Sequence, residues 1–424
     1  MSTSRPVTAV NRWGVLSGAV IALLMGGTLY SFSVFAKPFA ELRGWAMPDV
    51  MQAFGFTSML APVAMIGAGY FLDRGRTQLL MIAGGVLFGA GHVLAGLVTS
   101  IGAFWLCFGL IAGLGQGMMY SAALSNTLKL FPDKRGLASG MITGGMGAGS
   151  VIAAPVGRAM VSSIGVSQSF VVLGAVYAVV VVLAAVLLIR QAPVGYAPAG
   201  WTPPAPVGGG APTAMNWRQM IRTPQFWIIV PMFVAGAFFG LMITSNLSGI
   251  SQDMFGATAA SAALFVSLLG ACNTIGRISW GWVSDRIGIT TSLMIVFVLA
   301  AAALVLLGAG AGTLVLAAGV IVLGFAFGGV MSLFPPLTMA NYGPRHQGVN
   351  YGIVFSAYAL SGLVAPKWAA SIAEGSGGDF SSAFYIAAAI AVCGLVLTLL
   401  YRGVTARRSA AASVVVEREP VSAP

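Results

Sequence analysis

The chain has 424 residues, of which 58% are hydrophobic and 7% charged, and a net charge of +11. Soluble domains carry about 25% charged residues, so this composition excludes a water-exposed globular protein. Twelve membrane-crossing helices of about 20 apolar residues fill roughly 260 positions, which leaves no room for a large soluble catalytic domain.

The apolar runs are continuous rather than alternating, which argues against a β-barrel. The first run, 13–35, follows Arg5 and Arg12 as a signal peptide would, but it is long enough to span and lacks a small-residue cleavage site, so it reads as a retained helix. Runs at 50–72, 78–99, 102–128, 136–161 and 168–189 complete a first group of six. Residues 190–224 then turn polar and proline-rich (Pro193, Pro198, Pro203, Pro204, Pro206, Pro212), the composition of a linker. A second group follows at 225–250, 257–283, 291–310, 313–340, 349–372 and 381–401, and 405–424 reads as a disordered tail. The sequence therefore predicts an all-α integral membrane protein: a bundle over 1–189, a linker over 190–224, a bundle over 225–404 and a tail over 405–424. Cys107, Cys272 and Cys393 lie singly inside apolar runs, without disulfide or metal-ligand spacing. Gly145, Gly147 and Gly149 form a G-x-G-x-G string, but no strand precedes them and no nucleotide site is implied. No cofactor is expected.

The two groups repeat each other. Gly69, Asp73 and Arg74 recur as Gly281, Asp285 and Arg286 at an offset of 212 residues, and Pro132, Gly136 and Gly140 recur as Pro344, Gly348 and Gly352 at the same offset. Internal duplication of this kind is common in secondary transporters. Basic residues set the orientation. With the N-terminus cytoplasmic, sixteen of the 21 Lys and Arg fall inside, while Lys37, Arg43 and Arg158 fall outside. That asymmetry accounts for most of the positive charge without a nucleic acid partner, and puts both termini in the cytoplasm of a bacterial-type inner membrane.

The stretch Gly69-Tyr70-Phe71-Leu72-Asp73-Arg74-Gly75-Arg76 is similar to the loop signature G-x-x-x-D-R-x-G-R of the major facilitator superfamily, with one residue missing after Arg74. Its counterpart from Gly281 to Gly288 keeps the full spacing. The resemblance implies two pseudo-symmetric six-helix bundles and a gate built from Gly69, Asp73, Arg74, Gly281, Asp285 and Arg286. Asp73 would cap the eleventh helix near Gly348 and Asp285 the fifth near Gly136. A narrower resemblance, to the oxalate:formate antiporter family and the related monocarboxylate transporters, rests on Asn11-Arg12-Trp13, Gly27 to Phe35, Asn350 to Tyr358, and Pro193-Val194-Gly195-Tyr196.

No Asp or Glu falls in the middle of a span; the membrane interior holds cations instead. Arg277 sits within the eighth span, where a charge costs about 2.5–3.5 kcal/mol on insertion scales. Facing a water-filled cavity, it would attract a carboxylate, which a guanidinium holds bidentately; the alternative is that it snorkels to the inner surface. The antiporter resemblance implies a substrate-binding Arg on this helix. Monocarboxylate transporters carry a proton-linked Asp one turn earlier, where this chain has Asn273. The family's second cation aligns with Tyr358, whereas Lys367, half a turn out of phase, is open to a site role or to a surface one. Tyr30, Gln116, Tyr120, Asn246 and Tyr358 are candidate partners for a small acid, with interhelical hydrogen bonding as the alternative for each. His92 is a packing residue or a proton carrier.

Together these features imply a non-enzymatic secondary transporter that moves a small monocarboxylate such as lactate, pyruvate or formate by alternating access, with a proton or counter-anion as partner, as a monomer in the lipid bilayer. Exchange of oxalate or another dicarboxylate is the alternative within transport. A membrane sensor without flux is the alternative outside it.

Overall fold

The computed structural model describes residues 10–201, 214–310 and 312–418. Arg5, the linker prolines Pro203, Pro204, Pro206 and Pro212, and the tail beyond Arg418 lie outside the described residues.

Twelve helices are long and apolar enough to cross a membrane: α1 (Arg12–Ser31), α2 (Met47–Leu72), α3 (Thr77–Leu97), α4 (Ile101–Leu130), α5 (Arg135–Ile164), α6 (Val166–Leu187), α7 (Pro224–Met254), α8 (Ala260–Ile287), α9 (Ile289–Ala309), α10 (Thr313–Tyr342), α11 (Gln347–Gly375) and α12 (Ser381–Ala406). No strand occurs among the described residues. Short polar side chains start several helices by accepting otherwise orphaned backbone N–H groups: Asn11 from Gly14, Ser100 from Ala103, Thr223 from Phe226 and Thr258 from Ser261. Gly288, at φ +86°, turns α8 directly into α9.

Two boundaries differ from the sequence reading. The first span tightens into a 3-10 turn at Gly27–Ser31 and resumes as a helix over Ser33–Arg43. The segment from 405, expected to be disordered, instead continues the last helix to Arg418; its alanines are strong helix formers. The linker is pinned at both ends. Ala192 N–H donates to Asn126 on α4, while Met215 N–H donates to the Tyr342 carbonyl and Asn350 of α11 donates to Met215.

The halves α1–α6 and α7–α12 meet along two helix pairs, α5 with α8 and α2 with α11. Contact is closest near the end that holds Arg76, Lys134, Arg286 and Arg345, called the basic end below. A Cβ on Gly281 would come within 2.3 Å of the Gly136 carbonyl, and one on Gly69 within 2.3 Å of the Val349 nitrogen. Small residues at these crossings let the backbones touch, as membrane helix pairs require. A Cβ on Gly140 would likewise come within 2.3 Å of the Arg277 carbonyl. Gly140→Leu is therefore expected to hold α5 and α8 apart. Maleimide labelling of a Ser284→Cys reporter, with Cys107, Cys272 and Cys393 replaced, should then rise about fivefold or more, since Ser284 is buried at this crossing.

Candidate functional site

Between the halves lies a cavity of about 310 Å³. Its lining comes from α1, α2, α4, α5, α7, α8, α10 and α11, and reaches from Phe355 and Met65 up to Met51 and Pro366. Toward the basic end the glycine crossings close it; toward the opposite end it is open, with Met51 and Met59 exposed at its wall. The described state is accessible from the end opposite the basic residues.

Arg277 is the cation of this cavity. It lies ten residues from the end of α8 at Ile287, about 15 Å at 1.5 Å per residue, deeper than the span boundary read from the sequence suggested. Only 4% of its surface is exposed. Its Nε donates to Asn273 Oδ1 at 2.8 Å and its Nη1 to the Thr143 carbonyl of α5 at 2.6 Å. The bond to Asn273, one turn farther from the basic end, shows that the side chain points into the protein rather than snorkelling to the basic surface. Two of five N–H donors are thus engaged, and no carboxylate forms an ion pair with it among the described residues. Thr143 belongs to the opposite half, so the guanidinium also bridges the two bundles.

Tyr30, Gln116, Tyr120 and Tyr358 line the same cavity. Phe355 forms the floor between two of them, with ring centroids 5.4 Å from Tyr120 and 5.0 Å from Tyr358. Arg277 lies within electrostatic reach of Tyr120, Tyr358 and the buried Tyr351 one turn below Phe355. The buried Tyr351 hydroxyl stands near that of Tyr120.

Three expected site residues lie off the cavity. Asn246 donates to the carbonyls of Met242 and Pro366, at 2.9 and 3.3 Å, and so clamps α7 to α11 at the proline. Asn273 is buried behind Arg277 and holds its guanidinium in place. Lys367 is exposed on α11 outside the lining. His92 bonds the Phe88 carbonyl at 2.8 Å inside a cage that includes Phe108, Phe170 and Tyr177, apart from the cavity.

The sequence reading missed Phe355 and the thioethers Met65, Met146 and Met331. A signal for the first was present: Phe355, Tyr358, Ala359, Gly362, Leu363 and Pro366 form one stripe at helical spacing, and Tyr358 was already on it.

The basic-end carboxylates differ. Asp285 accepts from the N–H groups of Gly136 and Leu137, both at 2.8 Å, and so caps α5. Asp73 faces Gly348 without completing the equivalent cap: its Oδ2 lies 3.5 Å from His346 Nδ1, and its buried Oδ1 has no partner. Burial pushes its carboxyl up to about 7 against the pull of Lys129, the Gly348 N–H and Arg345. Burial, with Arg345 and Lys129, holds His346 below its usual range. Arg74 and Arg286 stay out of these contacts and lie over the rings of Tyr70 and Trp282, with Arg74 also donating to the Tyr70 hydroxyl.

Residues 16–366 match the Major Facilitator Superfamily profile. The chain belongs to the major facilitator superfamily. It is 30% identical to the oxalate:formate antiporter of Oxalobacter formigenes over 89% of its own length and 88% of that protein. It is 24% identical to monocarboxylate transporter 12 of Xenopus laevis, over 81% and 77% of the two chains. Among solved structures, the facilitator FucP in an outward conformation superimposes with a TM-score of 0.69 at 16% identity, covering 91% of this chain and 98% of that one. The protein is thus a multi-pass membrane transporter of the facilitator fold and not an enzyme.

Proposed function

We propose that this facilitator carries a small monocarboxylate across a bacterial-type inner membrane by alternating access, with the basic end in the cytoplasm. The observation that carries this reading is Arg277: a buried guanidinium, fixed by Asn273 and Thr143, with donors left over and no acidic partner among the described residues, in a cavity open to one side. A carboxylate supplies the missing charge and two acceptors in the plane of the fork. Phenolic hydroxyls of Tyr30, Tyr120 and Tyr358 and the Gln116 amide supply further polar contacts. Lys367 lies outside the lining, so one cation serves the site, and a monoanion neutralises it where a dianion overcharges it.

Exchange is the coupling mode best supported. Among the described residues no Asp or Glu lines the cavity, and Asn273 occupies the place of the proton-linked Asp implied by the monocarboxylate resemblance. The 30% identical relative is itself an antiporter. Closing the empty carrier cuts the free donors of an already buried, unpaired guanidinium off from the open cavity, which is costly, whereas the loaded carrier closes on a neutral pair. The return step therefore favours a second anion.

Uptake of labelled lactate, pyruvate, formate and oxalate into proteoliposomes tests this. Monocarboxylate uptake should be at least tenfold faster with an internal anion than without, and should not respond to a proton gradient. A strict requirement for the gradient overturns the exchange mode, and oxalate flux above that of every monocarboxylate overturns the single-charge site. Lys367→Ala is expected to change uptake by less than about twofold, as for an exposed charge; a loss of tenfold or more places Lys367 in the site.

A further inference from the structure

Resting on the carboxylate reading of Arg277, we infer that the substrate class is a monocarboxylate with an apolar tail of about four or more carbons, and that Met51, Phe54, Met59, Leu241 and Leu363 form the wall that selects it. The charged and apolar parts of the cavity lie at different depths. Counted from the basic ends of their helices, Arg277 is ten residues up α8 and Tyr358 eleven up α11, whereas Leu363 is sixteen up α11, Leu241 seventeen up α7 and Phe54 eighteen up α2. At 1.5 Å per residue the head level sits at about 15 Å and the wall at about 24 to 27 Å. These are backbone levels roughly 10 Å apart; the guanidinium, bonded to Asn273 one turn nearer the open end, takes up at most about 6 Å of that span, and the rest, with Met59 between the two levels, is left for a tail.

The volume points the same way. At about 30 Å³ per water molecule, a cavity of 310 Å³ corresponds to roughly ten waters. A one- to three-carbon acid leaves most of that space hydrated against thioether, phenyl and leucine side chains. A longer tail displaces this water, and its burial is favourable in proportion to the apolar area covered. The tail is selected by contact area rather than by a fixed partner, since methionine side chains repack around different shapes. Thr244 and Ser245 add hydroxyls near the wall, which admit a polar substituent on the tail without supplying a second charge.

The test uses the full-length purified protein in detergent, titrated with formate, acetate, butanoate, hexanoate and phenylacetate at fixed ionic strength, with methyl phenylacetate as the uncharged control. Half-saturating concentrations are read from the thermal-shift response. A single methylene in an apolar pocket is worth about 10- to 200-fold at most, and this open wall should give at least tenfold tighter binding of hexanoate and phenylacetate than of acetate. Met51→Ser with Met59→Ser, both at exposed positions, should pull that ratio toward one. Binding of formate or acetate as tight as that of the tailed acids overturns the inference while leaving the anion site intact. A ratio unchanged in the double variant overturns the assignment of the wall. Equal response of native protein and Arg277→Ala to every acid, or a response to the methyl ester matching that to phenylacetate, overturns the carboxylate reading and the inference together.

Discussion

Arg277→Ala should lower carboxylate exchange about 30-fold or more while leaving the protein folded. Removing one partner of a buried charge pair costs about 2–5 kcal/mol, and here the substrate carboxylate loses its counter-charge inside a largely apolar cavity. The same change removes the bond from Nη1 to the Thr143 carbonyl, one of the polar links between the halves, so a modest drop in thermal stability accompanies it. Arg277→Lys separates the two roles. The ammonium keeps the charge but lacks the planar fork and cannot reach Asn273 and Thr143 while also presenting two parallel donors. Intermediate exchange, about tenfold below native, is expected. Exchange in Arg277→Lys equal to native reduces the site to a point charge; equality with Arg277→Ala assigns the whole effect to bidentate geometry. The measurement is initial exchange rate in proteoliposomes, normalised to reconstituted monodisperse protein.

Asp285→Asn should open the basic end, and Asp73→Asn should not. The Asp285 carboxylate accepts two short backbone bonds at the start of α5; hydrogen bonds to a charged group are worth about 1.5–3 kcal/mol, and an asparagine retains one neutral acceptor. The population with the basic end closed should fall about 10- to 150-fold relative to the open one. Spin labels at the exposed positions Arg76 and Arg402, one in each half, report this as a longer inter-bundle distance. Asp73 works in the opposite sense. Its carboxyl is raised by burial from the ordinary value to about 7, so the closed end holds its proton more tightly than a hydrated open end does. Its contribution to closure is full below about pH 4 and is lost as pH rises to about 7. His346, held below its usual range, contributes with the other sign: its share is present above its ordinary range and lost on acidification. The difference between native protein and Asp73→Asn isolates the carboxyl. Asp73→Asn should favour the closed end relative to native at pH 7 to 8, and match native only below about pH 4. A closed fraction that falls in Asp73→Asn at pH 8 contradicts this asymmetry.

In sequence the two loops look equivalent, and the physical reason they differ is the missing residue after Arg74. On the complete side, α8 continues as helix through Asp285 to Ile287, which aims the carboxylate at the α5 N-terminus. On the short side, α2 ends at Leu72 and the chain turns at once through Gly75, at φ +81°, leaving Asp73 just past the helix end. A one-residue change in a motif was legible; its consequence for a carboxylate position was not. The spans and the repeat were readable because apolar length and a constant offset are properties of the chain itself. Arg277 was readable because a lone buried cation in a membrane helix is costly enough to need a reason. Asn246 takes the interhelical alternative, bonding the Met242 and Pro366 carbonyls, because an amide in a membrane helix serves a neighbouring carbonyl as readily as a ligand. The half-turn phase between Tyr358 and Lys367 was legible on α11, and Lys367 lies outside the cavity lining while Tyr358 is in it. The thioether lining stayed hidden because a buried Met facing a cavity and one facing another helix have the same sequence signature.

Counterflow tests carriage at Arg277 most directly. Proteoliposomes are loaded with an unlabelled monocarboxylate and diluted into a trace of the labelled acid without a proton gradient, comparing native protein with Arg277→Ala. Transient accumulation of label by the native protein, absent from empty vesicles and from Arg277→Ala, is the expected result. Equal accumulation by the two proteins would contradict the site, and no accumulation of any carboxylate by the native protein would contradict the transport proposal.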